Sequence, residues 1–386
     1  MRRVAIVYPY IAHYREAVFE HLVCSLNSPD GDYQFFAFSD FESNIASLSL
    51  ISPNKSQDLG GVWRWSRIKN LWWRNFLICQ RGLFCKVVFS RLFDDVIFLG
   101  NAYYISVWVA TFFLKLRKKR VYYWTHGVRV KDVGYKKHIR IFFYKLADGL
   151  LLYGEQAKKI LSAEGIALNK IFVIYNSMDY AKQKKVRESL LLNNLNVRFR
   201  NEIKIIYTGR ITKEKGLDLV INALSFLKEN GILSSLRVVG DGADLDRLKT
   251  LVDNLKISDC VLFSGPCYDE NELGRFFLDS DLCVVPSAAG LSVMHAMAFG
   301  LPVITNDDFS KHGPEVEAIE EGVTGGFYKV GCLNSLVEKI VEWNSRVKAD
   351  RSGAIRNSCI SKIERSYTAE RQVELICAAL NYDCEE

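Results

Sequence analysis

The sequence predicts an α/β protein. Three observations carry this prediction. Leu282–Val285 reads as a buried strand that runs into the small-residue turn Pro286-Ser-Ala-Ala-Gly290, then a helix, then a second strand ending at Ile304. Lys204–Tyr207 reads as another strand, ending at Gly209 before a helix that Gly216 opens. Val238-Val-Gly-Asp-Gly242 repeats the strand, glycine turn and helix pattern. Strands alternating with helices are the pattern of a parallel sheet covered on its faces by helices. At 386 residues the chain has room for two such domains of ordinary size.

The elements follow in chain order. Met1-Arg-Arg leads directly into Val4–Tyr8, a first buried strand, so no secretory signal is expected. Pro9–Arg15 is then a loop at a strand's carboxyl end, where ligands of open α/β sheets gather. From Val62 to Ile78, four tryptophans are interleaved with four cations. An amphipathic stretch of this kind suits a lipid headgroup boundary; the alternative is a domain helix with its aromatic face in the core. Val96–Leu114 holds 19 uncharged residues, near the length that spans a bilayer. Gly100-Asn101 divides it into a strand-like and a helix-like run, and Val121–Thr125 follows as a strand, so a soluble βαβ unit is expected. Lys136–Arg140 followed by Ile141–Tyr144 is a second basic and aromatic patch. Ile171–Tyr175 reads as the last strand of the first domain, 182–201 as a helix and connector, and Tyr367–Leu380 as a terminal helix.

Composition fits a globular protein: 49% hydrophobic and 25% charged. The ten cysteines show neither Cys-x-x-Cys nor a paired Cys/His ligand pattern, and in a reducing compartment they read mostly as small core residues. Residues 1–180 carry a net charge of +11 and residues 181–386 a net of −4. A basic half implies an anionic partner. No helix-turn-helix, zinc-finger or RNA-recognition signature is present, so nucleic acid is set aside as a partner and an anionic membrane surface is expected.

Phosphate chemistry is legible in the second half. The turn before Leu291 carries no bulky side chain, so bare amides at a helix N-terminus favour an anion. Arg210 and Lys215 flank another strand end, where a guanidinium fork and an ammonium can clamp a phosphate; the alternative is two solvated cations. Gly240 and Gly242 begin a dinucleotide fingerprint, but Leu245 stands where its third glycine belongs.

In order, strand-Gly-Arg-x4-Lys-Gly, Val-Gly-Asp-Gly, Phe263-Ser-Gly-Pro266 and Pro286-Ser…Gly-Leu…Ala-Met-Ala-x-Gly-x-Pro-Val-Ile304 resemble the donor half of GT-B glycosyltransferases, specifically glycosyltransferase family 4. The resemblance implies two Rossmann-like domains facing a cleft. Residues 1–180 bind the acceptor, 181–366 bind the nucleotide-sugar, and 367–386 form a C-terminal helix crossing back to the first domain. It further implies retaining transfer of a sugar from a nucleotide-diphosphate donor, a UDP-sugar ahead of a GDP-sugar, with no cofactor and no metal held by the protein.

Carried over position by position, Arg210 and Lys215 match the pair that neutralises the diphosphate, and Gly290–Ser292 match the loop and helix start at the phosphate and sugar. Gly209, Gly240, Gly265, Ala289, Leu291, His295 and Glu315 complete the expected donor site. The family's two glutamates are replaced by Ser287 and His295. A bacterial subgroup shares this variant, together with a later Pro-Glu-x-Glu-Ala-Ile, here Pro314–Ile319. His295 is expected at a ribose hydroxyl; Glu315 or Glu317 supplies a missing carboxylate or simply belongs to an exposed helix start.

In the first domain, His126 matches a histidine near the donor sugar, while His13 and Arg15 are the acceptor candidates, Arg15 for an acceptor phosphate. The implied protein is cytoplasmic, peripheral on the inner face of the membrane, and assembles bacterial surface polysaccharide on a lipid-linked or oligosaccharide acceptor. The alternatives are a nucleotide-binding partner subunit and a sugar-nucleotide epimerase.

Overall fold

The computed structural model describes residues 1–22, 32–42, 50, 65–73, 77–128, 134–192 and 202–382. Two compact units divide the chain: Met1–Asp179 with Ala369–Glu386, and Tyr180–Thr368.

In the first unit, β1 (Arg2–Tyr10), α1 (Glu16–Glu20), β2 (Tyr33–Asp40) and β3 (Trp65–Arg67) precede the antiparallel hairpin β4 (Lys69–Trp73) and β5 (Leu77–Arg81). Then come β6 (Asp95–Leu99), α2 (Ile105–Leu116), β7 (Arg120–Thr125), α3 (Tyr135–Lys145), β8 (Gly149–Leu152), α4 (Glu155–Ala163) and β9 (Ile171–Val173). Seven strands form a parallel sheet in the order β3-β2-β1-β6-β7-β8-β9. Alternate strand residues enter opposite cores: Val4, Ile6, Tyr122 and Trp124 on one face, Ala5, Val7, Val121 and Tyr123 on the other. Both faces are buried, so the strands read as unbroken hydrophobic runs.

The C-terminal helix Ala369–Asn381 packs Val373, Ile376 and Leu380 into the first of these cores. A buried ionic node fixes its end. Asp95, fully buried, accepts from Arg2 at 3.2 Å and from Arg120 at 2.7 Å, and the same two arginines donate to the Leu380 carbonyl at 3.1 and 2.7 Å. One carboxylate thus joins the starts of three parallel strands to the last helix.

The second unit holds α5 (Tyr180–Leu192), β10 (Ile203–Thr208), α6 (Leu217–Glu229), β11 (Ser234–Val239), α7 (Leu245–Asn254), β12 (Val261–Gly265), α8 (Glu270–Leu278), β13 (Leu282–Val285), α9 (Leu291–Ala298), β14 (Val303–Asn306), β15 (Gly325–Tyr328), α10 (Leu333–Ala349) and α11 (Ala354–Ser366). Its six strands are parallel in the order β12-β11-β10-β13-β14-β15. In each unit the strand order reverses once, between β1 and β6 and between β10 and β13. Loops at the carboxyl ends part at such a switch point and leave a crevice.

The tryptophan-rich segment departs from expectation. Its described part is β3, β4 and the start of β5 rather than one continuous amphipathic stretch; Trp63 lies outside the described residues. Trp65 donates to Ser39 at 2.6 Å and Trp72 packs on the core, while Trp73 is exposed. The hairpin's buried Asn70 and Gln80 bond to the Pro9 and Tyr8 carbonyls, so pairing with the β1 loop decides its conformation. The 96–114 run forms β6, a break and α2; no helix among the described residues is long and apolar enough to cross a membrane. Of the cysteines, Cys283 and Cys359 are buried, while Cys79 and Cys85 are exposed; the expected core role fits the first pair and fails for the second.

An apolar face remains uncovered on the first unit. Ile105, Val109, Phe112 and Leu116 form one exposed stripe of α2, and Tyr135, Ile139 and Phe142 form one of α3. Trp108 stacks on Phe142 with centroids 6.0 Å apart and joins the two stripes; Phe89 extends them through Phe113 at 5.9 Å.

Asp95→Ala is expected to lower unfolding stability by about 3 kcal/mol, because it leaves Arg2 and Arg120 without their buried partner. Urea denaturation of the two proteins checks this; an unchanged midpoint would remove the node from the account.

Candidate functional site

At the second unit's switch point, the turn after β13 is held from several sides. The Pro286 carbonyl accepts from Asn306 Nδ2 at 3.1 Å and from the Tyr328 hydroxyl at 2.9 Å. Ser287 donates its hydroxyl to the Glu214 carbonyl at 2.5 Å, and Lys215 Nζ donates to the Ala288 carbonyl at 3.2 Å. Ala289 is gripped at both backbone groups: its N–H donates to His312 Nδ1 at 2.9 Å and its carbonyl accepts from the Gly313 N–H at 2.8 Å. With the turn fixed, α9 begins at Gly290 without a side-chain cap. The first-turn amides at Gly290, Leu291 and Ser292 have no intrahelical acceptor by geometry, and they carry the positive end of the helix dipole.

Arg210 and Lys215 stand on the facing loop, after β10. Arg210 is exposed, and its carbonyl accepts from the Tyr207 hydroxyl at 2.9 Å. Lys215 is half-buried; burial, with the Arg210 charge, holds its ammonium below its ordinary pKa. An incoming dianion would attract both cations and favour the charged form of Lys215. Two cations facing a helix start are groups that can hold an anion.

The glycines of the neighbouring loop have a steric reason. Gly209 N–H bonds to the Val239 carbonyl at 3.0 Å and Ile211 N–H to the Asp241 carbonyl at 2.8 Å. A Cβ on Gly240 would overlap the Gly209 carbonyl, and one on Gly242 the Ile211 carbonyl. These two glycines let the β10 and β11 loops touch and so set the backbone from which Arg210 projects. Gly265 joins the same ladder, its carbonyl accepting from the Gly240 N–H at 2.9 Å.

Other candidates lie elsewhere. His295 sits on α9, and its Nε2 is 2.6 Å from Glu270 Oε1, with the ring between Phe277 and Phe299; the nitrogen expected at a ribose is engaged by a carboxylate. Glu315 is buried beside Gly313, next to the pinned turn, whereas Glu317 is only partly covered. Among the described residues no group of three or more His, Cys, Asp or Glu is placed to hold a metal ion.

The first unit has its own pocket, about 420 Å³, formed by the loops after β1, β6, β7 and β8. Arg15 and His126 line it, and the His126 ring lies 4.5 Å from Tyr153. His13 is exposed and outside this lining: the short 3-10 turn His13–Arg15 carries Arg15 inward and His13 out.

Sequence reasoning missed His312, Asn306, Tyr328 and Glu270. Partners 20 to 42 positions apart make these contacts, and no local periodicity marks them. His312 is well defined chemically. Nδ1 accepts from Ala289 and Nε2 faces the Asn306 carbonyl at 2.8 Å, so the neutral Nε2–H tautomer satisfies both. Burial pushes its pKa below the ordinary value, against the Asn306 carbonyl and Asp308 and with Lys311. A depressed histidine lends stability that is complete above its unfolded value of about 6.5 and is lost as pH falls through the lower folded value. The melting-temperature difference between wild type and His312→Gln is therefore expected to narrow on going from about pH 7.5 to about pH 5. A constant difference would refute the assigned tautomer.

Residues 194–352 match the family described as Glycosyl transferases group 1. The "Uncharacterized 41.2 kDa protein in cps region" of Klebsiella pneumoniae is 26% identical over 71% of this chain and 77% of its own length. The "Putative colanic acid biosynthesis glycosyltransferase WcaL" of Escherichia coli (strain K12) is 25% identical over 44% of this chain and 42% of its own length. Among solved structures, Anabaena Alr3699/HepE in complex with UDP superposes with a TM-score of 0.67 at 16% identity, covering 98% of this chain and 99% of that one. The chain has the GT-B fold, and its residues 194–352 are similar to the Glycosyl transferases group 1 family.

Proposed function

We propose that the protein is a retaining glycosyltransferase of the family 4 type that moves a sugar from a nucleotide-diphosphate sugar to a glycan acceptor in bacterial surface polysaccharide synthesis. The observation that carries this reading is the pinned turn 286–290 with its uncapped helix start, faced by Arg210 and Lys215 at a topological switch point. Negative charge grows on the departing diphosphate as the glycosidic bond breaks. Amides and cations already fixed in place stabilise that charge without reorganising. The named functions of the WcaL relative and the UDP bound by the structural neighbour favour a UDP-sugar donor and a polysaccharide product.

In this reading the second unit takes the donor, and Gly209, Gly240 and Gly265 shape the diphosphate loop. Glu315 is buried beside Gly313, whose N–H binds the turn at Ala289, and takes the place of the family glutamate that Ser287 replaces; the Ser287 hydroxyl is already committed to the Glu214 carbonyl. The first unit takes the acceptor, with His126 at its pocket. No other cofactor enters the proposal.

The acceptor is lipid-linked, and the protein binds the membrane surface from the cytoplasm. Support comes from the exposed stripes of α2 and α3, where apolar side chains sit beside cations. Lys118 and Lys136 are exposed and form no ion pair among the described residues. Aromatic side chains at headgroup depth beside cations at the surface suit an anionic leaflet.

Two measurements test the two parts. Calorimetric titration with UDP is expected to show binding that weakens about tenfold or more in Arg210→Ala and in Lys215→Ala, the loss of a charge-assisted contact. No UDP, GDP or ADP binding by the folded protein would overturn the donor reading. Co-sedimentation with phosphatidylglycerol-containing vesicles is expected at low salt, with release by salt and by the double change Phe112→Ser and Phe142→Ser. No binding at low salt would overturn the membrane reading.

A further inference from the structure

The pocket of the first unit contains a charge that has no counter-charge among the described residues. Arg15 is 8% exposed. Its guanidinium carbon lies 5.3 to 5.7 Å from the ring centroids of Tyr8, Tyr14, Trp124 and Tyr153. Nη2 donates to the Tyr153 hydroxyl. Nη1 is shut off from solvent and makes no hydrogen bond, and no carboxylate pairs with Arg15 among the described residues.

Burying this charge is costly. An arginine cannot shed its proton to escape burial. Aromatic faces compensate a cation by about 0.5 to 2 kcal/mol each, but they leave Nη1 without a hydrogen-bond acceptor. The lining indicates what completes the site. Arg15, Arg140 and His126 contribute to it, and among the described residues no aspartate or glutamate does. Its remaining walls alternate tyrosine rings with backbone and hydroxyl groups, which suits a molecule with apolar faces and a polar rim. The volume of about 420 Å³ lies within the range of small-molecule sites. Tyr14 is the one ring of the cage that is substantially exposed.

We infer that this pocket binds an oxyanion carried by a sugar-sized molecule, with Arg15 as its counter-ion. The inference rests on the glycosyltransferase reading in one respect: it makes that molecule part of the acceptor. The acceptor then carries either a carboxylate, as an acidic sugar does, or a phosphate, as a carrier-linked sugar does, within reach of Arg15.

The test is calorimetric titration of the full chain with glucuronate, glucose 1-phosphate and glucose. At least one charged sugar is expected to bind tenfold or more tightly than glucose. That preference is expected to vanish in Arg15→Gln and to persist in Arg210→Ala, which excludes the second unit as the site. Glucuronate alone binding identifies a carboxylate, glucose 1-phosphate alone a phosphate. Equal binding of all three sugars, no binding of any, or a preference that survives Arg15→Gln overturns the inference. The comparison of charged with neutral sugar in wild type holds even where Arg15→Gln fails to fold. UDP titration of the same preparations separates the two readings: loss of UDP binding in wild type strikes the donor proposal, whereas loss of the charged-sugar preference strikes this one.

Discussion

A helix start attracts an anion only where the chain before it is held still, and the candidate donor site depends on that condition. Small residues make the turn 286–290 open, and in isolation they would also leave it free to move. The contacts of Asn306, Tyr328, Lys215, His312 and Gly313 remove that freedom one backbone group at a time. The groups that point away from the ligand are satisfied by protein, and the first-turn amides stay available. Side chains distant in sequence supply the rigidity, so the loop itself stays small.

The same sheet geometry is used twice for different chemistry. Each unit reverses its strand order once, and each places its polar machinery on the loops there. In the second unit the machinery is backbone amide and cation, suited to a phosphate chain. In the first it is a guanidinium enclosed by aromatic rings, with the hairpin residues Asn70 and Gln80 fixing the Tyr8 and Pro9 carbonyls beneath it. Burial strengthens an electrostatic contact and also raises the cost of leaving it unmade. Arg15 shows the cost side, and Lys215, whose ammonium is already disfavoured, shows it more mildly.

Much of this was legible in the sequence because parallel strands buried on both faces are continuous apolar runs, and because a strand-turn-helix junction without bulky residues is an amide site wherever it occurs. Val96–Leu114 is a good case: length alone suggested a membrane span, and the Gly100-Asn101 break correctly divided it into strand and helix. The tryptophan segment is the opposite case. Its alternation of rings and cations fits more than one conformation, and pairing of β4 with β5 and with the β1 loop selected strands. The same limit applies to His13 and Arg15, two residues apart, one outward and one inward, because a 3-10 turn sets their directions.

The sequence by itself determined the strand–helix alternation, the small-residue turn and the two cations at strand ends, because each is a local pattern whose physics acts within a few residues. Only the tertiary structure decided that His312 holds Ala289, that Glu270 engages His295, and that Arg15 is enclosed by aromatic rings with no carboxylate paired to it among the described residues. These depend on which distant side chains the sheets bring to one edge, and no local pattern encodes that neighbourhood.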